Sequence, residues 1–378
     1  MSRTLEARRR VMHYVDSEIF GGCEEAALQL LGSLDLNRWE PVLLYHPGSG
    51  ISRLVDGAAR LNVRTRAVPR VGHRDPAGVS RIWRVIRDER PAIFHAHLSW
   101  PLACKYGVFA ACLARVPSIV GTAQLYMEIK SKRRPPLTLR FYHRIIAVSE
   151  EVKTRFAQDL RIPSRKLVVV RNGIRVAEAT YGPNNGLRSQ LIRGHADYVV
   201  LTPARLHEQK GHATLLQAAA QVPDATFVFA GDGPLRAQLE QQVRELGISG
   251  RSVFLGNRSD IPDLLAAADL LVLPSLYEGL PVSVLEAMAA ERPVVATSIG
   301  GTKEAVIHEV TGLLVPPGDP VAIANAIYRL RGDPALARRL AVAGRLRVQQ
   351  EFSSAATAQG VMRIYEEVTS NAGQDPHH

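Results

Sequence analysis

Apolar residues in this chain fall into short runs, separated by stretches where they recur at helical spacing. The runs read as strands buried on both faces, and the spaced stretches as amphipathic helices. Strands are predicted at Val11–Val15, Pro41–Tyr45, Val63–Val68, Ala92–His95, Ser118–Gly121, Ile145–Val148 and Leu167–Val170. Gly21-Gly22 follows the first strand, before a helix from about Glu24 to Gly32, and helical patterns are clearest at Ala77–Glu89 and Leu98–Ala114. A polar, loop-rich segment from Asn172 to Gly194 then interrupts the alternation and marks a domain boundary.

Beyond it the alternation restarts. Strands are predicted at Tyr198–Thr202, Thr226–Ala230, Val253–Gly256, Leu270–Leu273, Val294–Ala296 and Leu313–Val315. Helices are predicted at Ala213–Gln221, Leu235–Leu246, Ile261–Ala267, Val282–Ala290 and Val321–Leu330, with more helix over Ala335–Gln350 and Ala355–Thr369. Strands alternating with helices imply parallel βαβ units. The expected class is α/β, with two Rossmann-like, doubly wound domains facing across a central cleft. Their expected spans are residues 1–175 and 176–352, followed by a closing helix over 353–372.

Composition narrows the function. A chain of 378 residues exceeds what one core usually holds, and 46% hydrophobic residues exclude a disordered protein. The net charge of +11 favours anionic partners such as nucleotides, nucleic acid or an acidic membrane surface. No apolar run is long enough to span a bilayer, and the basic start lacks a secretory leader's apolar stretch. Cys23, Cys104 and Cys112 have no metal-binding spacing, and their odd number argues against a disulfide framework, so a reducing cytoplasm is expected.

The densest chemistry lies in Pro274 to Ala289. The run Leu270–Leu273 predicts a buried strand, Gly279 and Pro281 break the chain, and a helix follows from Val282. Glu278 then stands in a loop and Glu286 on the helix's second turn. The helix start leaves N–H groups free at Val282 and Ser283, where its dipole favours an anion. Two carboxylates beside an anion site suit a ligand with both phosphates and hydroxyls, such as a nucleotide sugar. Arg205 and Lys210 follow the strand Tyr198–Thr202 and can neutralise a diphosphate. Gly231-Asp232-Gly233-Pro234 reads as a tight turn, and Gly256-Asn257-Arg258 follows another strand where main-chain groups can read a base edge.

In the first half, Gly21-Gly22 lets backbone approach a ligand closely but lacks the dinucleotide fingerprint. In His95-Ala96-His97, strand alternation is expected to send the two rings in opposite directions, with His95 packed and His97 facing the cleft. No third ligand stands at a recognisable spacing, which disfavours a metal site.

These residues carry a resemblance. Tyr-Glu-Gly-Leu-Pro-Val-Ser-Val-Leu-Glu-Ala-Met-Ala, with Glu278 seven residues before Glu286, resembles the signature of retaining GT-B glycosyltransferases of family 4. Arg205…Lys210-Gly211, Gly231-Asp232-Gly233-Pro234, Val170-Arg171-Asn172-Gly173-Ile174, His95-Ala96-His97 and Gly21-Gly22 occur in that family's order, over about residues 10 to 365. The resemblance implies that Glu286 holds the ribose hydroxyls and Glu278 the donor sugar. It implies that Arg205 and Lys210 stabilise the departing diphosphate, as a metal does elsewhere. Val282, Ser283 and Gly22 would add backbone N–H groups, and His97 would stand by the reacting carbon. Arg258 joins the nucleotide side, while Gln124 and Asn172 fall on the acceptor side. The last helix would cross back onto the first domain. No metal and no cofactor beyond the nucleotide-sugar substrate is implied.

The expected reaction is attack by an acceptor hydroxyl on the anomeric carbon with retention, by a front-face route without a carboxylate nucleophile. Gln124 stands where many relatives carry a histidine, and an amide cannot act as a base near neutral pH. Lys130 to Pro136, with Arg140 and Arg144, and Arg8-Arg9-Arg10 form basic segments. Docking on anionic lipid would place the enzyme peripherally at a membrane with a lipid-linked acceptor, whereas a solvated loop fits a soluble one. The competing readings are a nucleotide-sugar 2-epimerase of the same architecture, a glycoside hydrolase using the two glutamates, and a non-catalytic nucleotide-binding protein. The hydrolase is disfavoured because a neutral glycoside offers Arg205 and Lys210 no phosphate, and no RNA-binding motif accompanies the charge.

Overall fold

The computed structural model describes residues 8–126, 137–176 and 184–372. Its internal contacts divide the chain into two units. One holds the residues up to Gly173 together with those from Ser354, and the other runs from Ile174 to Ser353.

The first unit is built on a parallel sheet of β1 (Arg9–Val15), β2 (Trp39–Tyr45), β3 (Arg64–Ala67), β4 (Ile93–Leu98), β5 (Ser118–Ala123), β6 (Arg144–Ala147) and β7 (Leu167–Val169). Their order is β3-β2-β1-β4-β5-β6-β7. The second unit holds β8 (Tyr198–Pro203), β9 (Ala225–Ala230), β10 (Ser252–Gly256), β11 (Leu270–Leu273), β12 (Val294–Thr297) and β13 (Leu313–Val315), in the order β10-β9-β8-β11-β12-β13. Both are doubly wound Rossmann-like sheets. In each the winding reverses once, between β1 and β4 and between β8 and β11, and ligands bind such sheets at the carboxyl ends beside that reversal.

Helix starts follow from local chemistry. Asp75, Asp319 and Asp333 each precede a proline and accept a backbone N–H three residues on, from Gly78, Ala322 and Leu336. Proline costs nothing in the first turn, and aspartate supplies an acceptor to otherwise unpaired N–H groups.

The boundary segment departs from its reading as loop. Asn184 caps a helix at Asn185–Leu191, which packs on the helix Ile261–Ala267 in the second unit. The predicted helix Leu98–Ala114 is shorter, at Lys105–Leu113, because turns follow β4 over Ser99–Cys104.

The closing helix, Ser354–Ala372, belongs to the first unit. Ala358, Val361, Ile364, Tyr365 and Val368 form one helical face and join the core around β1 and β2, with Tyr365 edge-on to Trp39 at 5.2 Å between centroids. No helix among the described residues is long and apolar enough to cross a membrane.

Candidate active site

In the second unit the carboxyl ends of β8 and β11 lie side by side, and the loops that leave them are stitched together. Gln209 donates its side-chain amide to the Tyr277 carbonyl (3.0 Å) and accepts the Leu276 N–H on its own carbonyl (2.7 Å). Gly211, at φ +66°, lies so close that a Cβ there would fall 2.0 Å from the Pro274 carbonyl oxygen. Gly301 is tighter, since its Cβ would meet the Gly279 carbonyl oxygen at 1.5 Å. These glycines let main chain pack on main chain.

That stitching brings Lys210 and Glu278 together. Lys210 Nζ lies 2.5 Å from Glu278 Oε1, which also accepts the Ser275 hydroxyl at 2.7 Å. The Glu278 side chain is only 7% exposed. Ser275 is buried, and its carbonyl is held by the Thr297 hydroxyl at 2.5 Å. Arg205 is fixed through its backbone, where buried His212 Nε2 donates to its carbonyl at 3.1 Å. Burial lowers His212 to about 4, so its ring is neutral.

The helix Val282–Ala289 follows. Pro281 precedes it, and no side chain caps its start. Its residues are buried except Ser283 and Glu286, which share one face three positions apart. A nearly buried helix thus leaves two polar positions partly exposed, Ser283 in its first turn and Glu286 in its second.

In the first unit, β1 pairs with β4 so that His13 lies opposite His95. His13, His95 and His97 are all buried. His13 Nδ1 is 3.1 Å from His97 Nε2, while His95 is bonded to the Tyr365 hydroxyl (2.5 Å) and to the Thr122 hydroxyl (2.7 Å). Burial lowers His97 to about 4 and lowers His13 and His95 as well.

Comparison with known proteins follows the same division. The family "Glycosyl transferases group 1" matches residues 186–347, and "Glycosyltransferase Family 4" matches residues 20–178. The 2-deoxystreptamine glucosyltransferase of Streptomyces kanamyceticus is 30% identical over 355 residues, covering 84% of this chain and 92% of that one. The chain belongs to the group 1 glycosyltransferases.

This glycosyltransferase is also similar to the UDP-Gal:alpha-D-GlcNAc-diphosphoundecaprenol alpha-1,3-galactosyltransferase of Escherichia coli. The two are 26% identical over 360 residues, which is 88% of this chain and 91% of that one. Anabaena Alr3699/HepE, solved in complex with UDP and glucose, matches the fold with a TM-score of 0.81 at 23% identity, over 95% of this chain and 100% of that one. The fold class is therefore GT-B, as the family resemblance implied.

The structure corrects the histidine reading. The His95 and His97 rings do not diverge. They stack at 4.6 Å between centroids with 20° between their planes. Residues two apart on a strand share a face, so alternation puts Ala96 on the other side. A third histidine also exists. His13, His95 and His97 each offer a nitrogen within 4.8 Å of the others. Sequence spacing missed His13 because it lies on a strand distant in the chain. Both nitrogens of His95 are engaged, and His13 bonds His97, which leaves His13 Nε2 and His97 Nδ1 buried without a hydrogen-bond partner among the described residues.

The other sequence-derived residues divide between the units. Gly22 opens the helix Gly22–Leu31, where Gly21 N–H donates to Glu24 Oε2 at 2.8 Å. Gln124 and Asn172 bond each other, Asn172 Nδ2 donating to Gln124 Oε1 at 2.6 Å. Arg258 follows a bulge at the end of β10 and grips Asp260 through two bonds of 2.8 and 2.5 Å. Of the expected basic segments, 130–136 lies outside the described residues. Arg10 is paired with Glu40 and Glu89, and Arg144 with Glu367.

Proposed function

We propose that this glycosyltransferase moves a sugar from a nucleoside-diphosphate sugar, with uridine as the base, to an acceptor hydroxyl with retention and without a metal. The observation that carries the reading is the Lys210–Glu278 pair on two adjoining switch-point loops beside the uncapped helix start at Val282. The site thus offers cations and N–H groups to a diphosphate and carboxylates to hydroxyls. The uridine assignment draws on the UDP-linked names of the two relatives above.

In this reading the bond between the anomeric carbon and the diphosphate oxygen breaks, and the acceptor oxygen bonds to the same face. The acceptor's proton passes to a departing phosphate oxygen. Negative charge grows on the diphosphate, where Arg205, Lys210 and the Val282 and Ser283 N–H groups meet it, so a metal has no task left. Glu278 accepts donor-sugar hydroxyls and Glu286 the ribose hydroxyls. Arg258 serves the nucleotide, His97 the donor sugar and Gly22 the diphosphate. Gln124 and Asn172 are assigned to the acceptor, as a joined amide pair that orients a hydroxyl without deprotonating it. A lipid-linked acceptor in polysaccharide or glycolipid assembly is favoured by the Escherichia coli relative's name.

A thermal-shift series of UDP, GDP and ADP and their sugars, with magnesium or EDTA, tests this. UDP is expected to raise the melting temperature equally in both, and Glu286→Ala or Arg205→Ala to shrink the rise. If no nucleotide stabilises the folded protein, the reading falls. A shift that needs magnesium removes the metal-independent part.

A further inference from the structure

We infer that His13 is a positioning residue for His97: it fixes the ring and directs a proton on His97 Nδ1 toward the ligand. The inference rests on His97 serving the donor sugar, and its physical core can be tested without that assignment.

The geometry sets the argument. His97 stands one residue before the end of β4, at the carboxyl edge where doubly wound sheets bind ligands. His13 pairs with His95, so it lies two residues deeper, roughly 6–7 Å along the strand. Each ring has one nitrogen in their shared 3.1 Å bond, and each has another, His13 Nε2 and His97 Nδ1, without a hydrogen-bond partner among the described residues. The rings are held nearly parallel, 23° apart, and His97 is stacked on its other neighbour, His95. His95 is itself anchored from both sides by Tyr365 and Thr122.

A neutral imidazole carries one proton, so the shared bond couples the two tautomers. If His13 Nδ1–H donates to His97 Nε2, the proton of His97 must sit on Nδ1. If the direction reverses, the proton of His13 must sit on Nε2. The second arrangement leaves an unpaired N–H at the deeper position, and buried orphan donors are the rarer and costlier kind. Both nitrogens are buried, but only the first arrangement puts the orphan donor on His97, nearer the carboxyl edge, where a bound ligand oxygen would satisfy it. Burial keeps both rings neutral near pH 7, so the coupling holds under working conditions. A histidine at this depth thereby decides what its neighbour offers.

The test combines two variants with two readouts. In His13→Asn the side-chain amide can still donate near the Nδ1 position, and in His13→Leu nothing can. Nitrogen-15 spectra of histidine-labelled protein, assigned by loss of signals in His97→Gln, report which ring nitrogen of His97 is protonated. The expected result is Nδ1–H in the wild type and in His13→Asn, and a mixed or reversed tautomer in His13→Leu. Release of UDP from UDP-glucose or UDP-galactose is expected to show kcat lowered roughly ten- to a hundredfold in His13→Leu. KM should stay within about threefold, and His13→Asn should recover most of the rate.

A proton on Nε2 of His97 in the wild type overturns the proposal whatever the activity. Equal loss of rate in both variants also overturns it, since that marks a role in packing alone. Stoichiometric zinc in the purified protein that His13→Leu loses would make the cluster a metal site and overturn it as well. If the wild type releases UDP from neither donor while its Nδ1 is protonated, the assignment of His97 to a glucosyl or galactosyl donor fails and the inference that His13 sets its tautomer stands.

Discussion

Lys210 and Glu278 hold each other in a setting where neither is replaceable by size alone. Glu278 is nearly buried, so Lys210→Ala leaves its carboxylate with the Ser275 hydroxyl as its hydrogen-bond donor among the described residues. Breaking a buried pair costs about 3–5 kcal/mol, and partial exposure of Lys210 reduces this to about 1–3 kcal/mol. Urea unfolding of Lys210→Ala should show that loss, and Glu278→Gln, which keeps its bond to Ser275, should lose less. UDP release should fall about 10²–10³-fold in Lys210→Ala, as when one group that stabilises a developing anion is removed. The buried histidines set a pH dependence. His97 and His212 titrate near 4 in the fold, below the usual 6.5 of a free ring. The unfolded chain therefore binds protons first as pH falls. Stability is fully present above about 6.5 and declines toward about 4, by up to about 1.4 kcal/mol per pH unit for each such ring. Melting temperatures recorded from pH 7.5 to 4.5 should fall through that window, and replacing His212 with Gln should flatten the slope.

Between elements, the site depends on loops that touch through their backbones. Gly211→Ala would put a methyl into the Pro274 carbonyl at positive φ and is expected to cost roughly 2–5 kcal/mol, measurable by urea unfolding. UDP-induced stabilisation should be lost in the same variant, because the loop carries both Arg205 and Lys210. Much of this arrangement was legible in the chain. Glu278, Val282, Ser283 and Glu286 lie within nine consecutive residues, so a strand, a break and a helix suffice to place them. Arg205 and Lys210 were legible as loop residues after a strand, but their approach to Glu278 required β8 and β11 to be neighbours. His13 was missed for the same reason. Its partner is 84 positions away, and only the sheet order β2-β1-β4 brings them together. The error over His95 and His97 was local and avoidable, since a period of two places both on one face.

At the scale of the molecule, the first unit depends on the chain's return. Tyr365 packs on Trp39 and bonds His95, so the closing helix contributes both core and polar anchoring. Tyr365→Ala should destabilise the protein by about 3–5 kcal/mol, and Tyr365→Phe, which loses only the hydroxyl, by about 1 kcal/mol. Calorimetry of both variants, compared with the wild type, checks the ratio. At the opposite, amino end of the sheet, buried Glu89 is ringed by Arg10, Arg64 and Arg66, a network that ties β1 and β3 to the helix Pro76–Glu89. The return of the helix also sets an order of events on the ribosome. Synthesis leaves the first unit at Gly173 and re-enters it at Ser354. At about 5–20 residues per second, that interval lasts roughly 10–35 s. The second unit is complete as translation passes Ser353, whereas the half made first waits with the Trp39 side of its sheet only partly covered, by the helices Gly22–Leu31 and Ser52–Arg60. Chaperones that hold nascent apolar surface would meet this protein at its beginning, for want of its end.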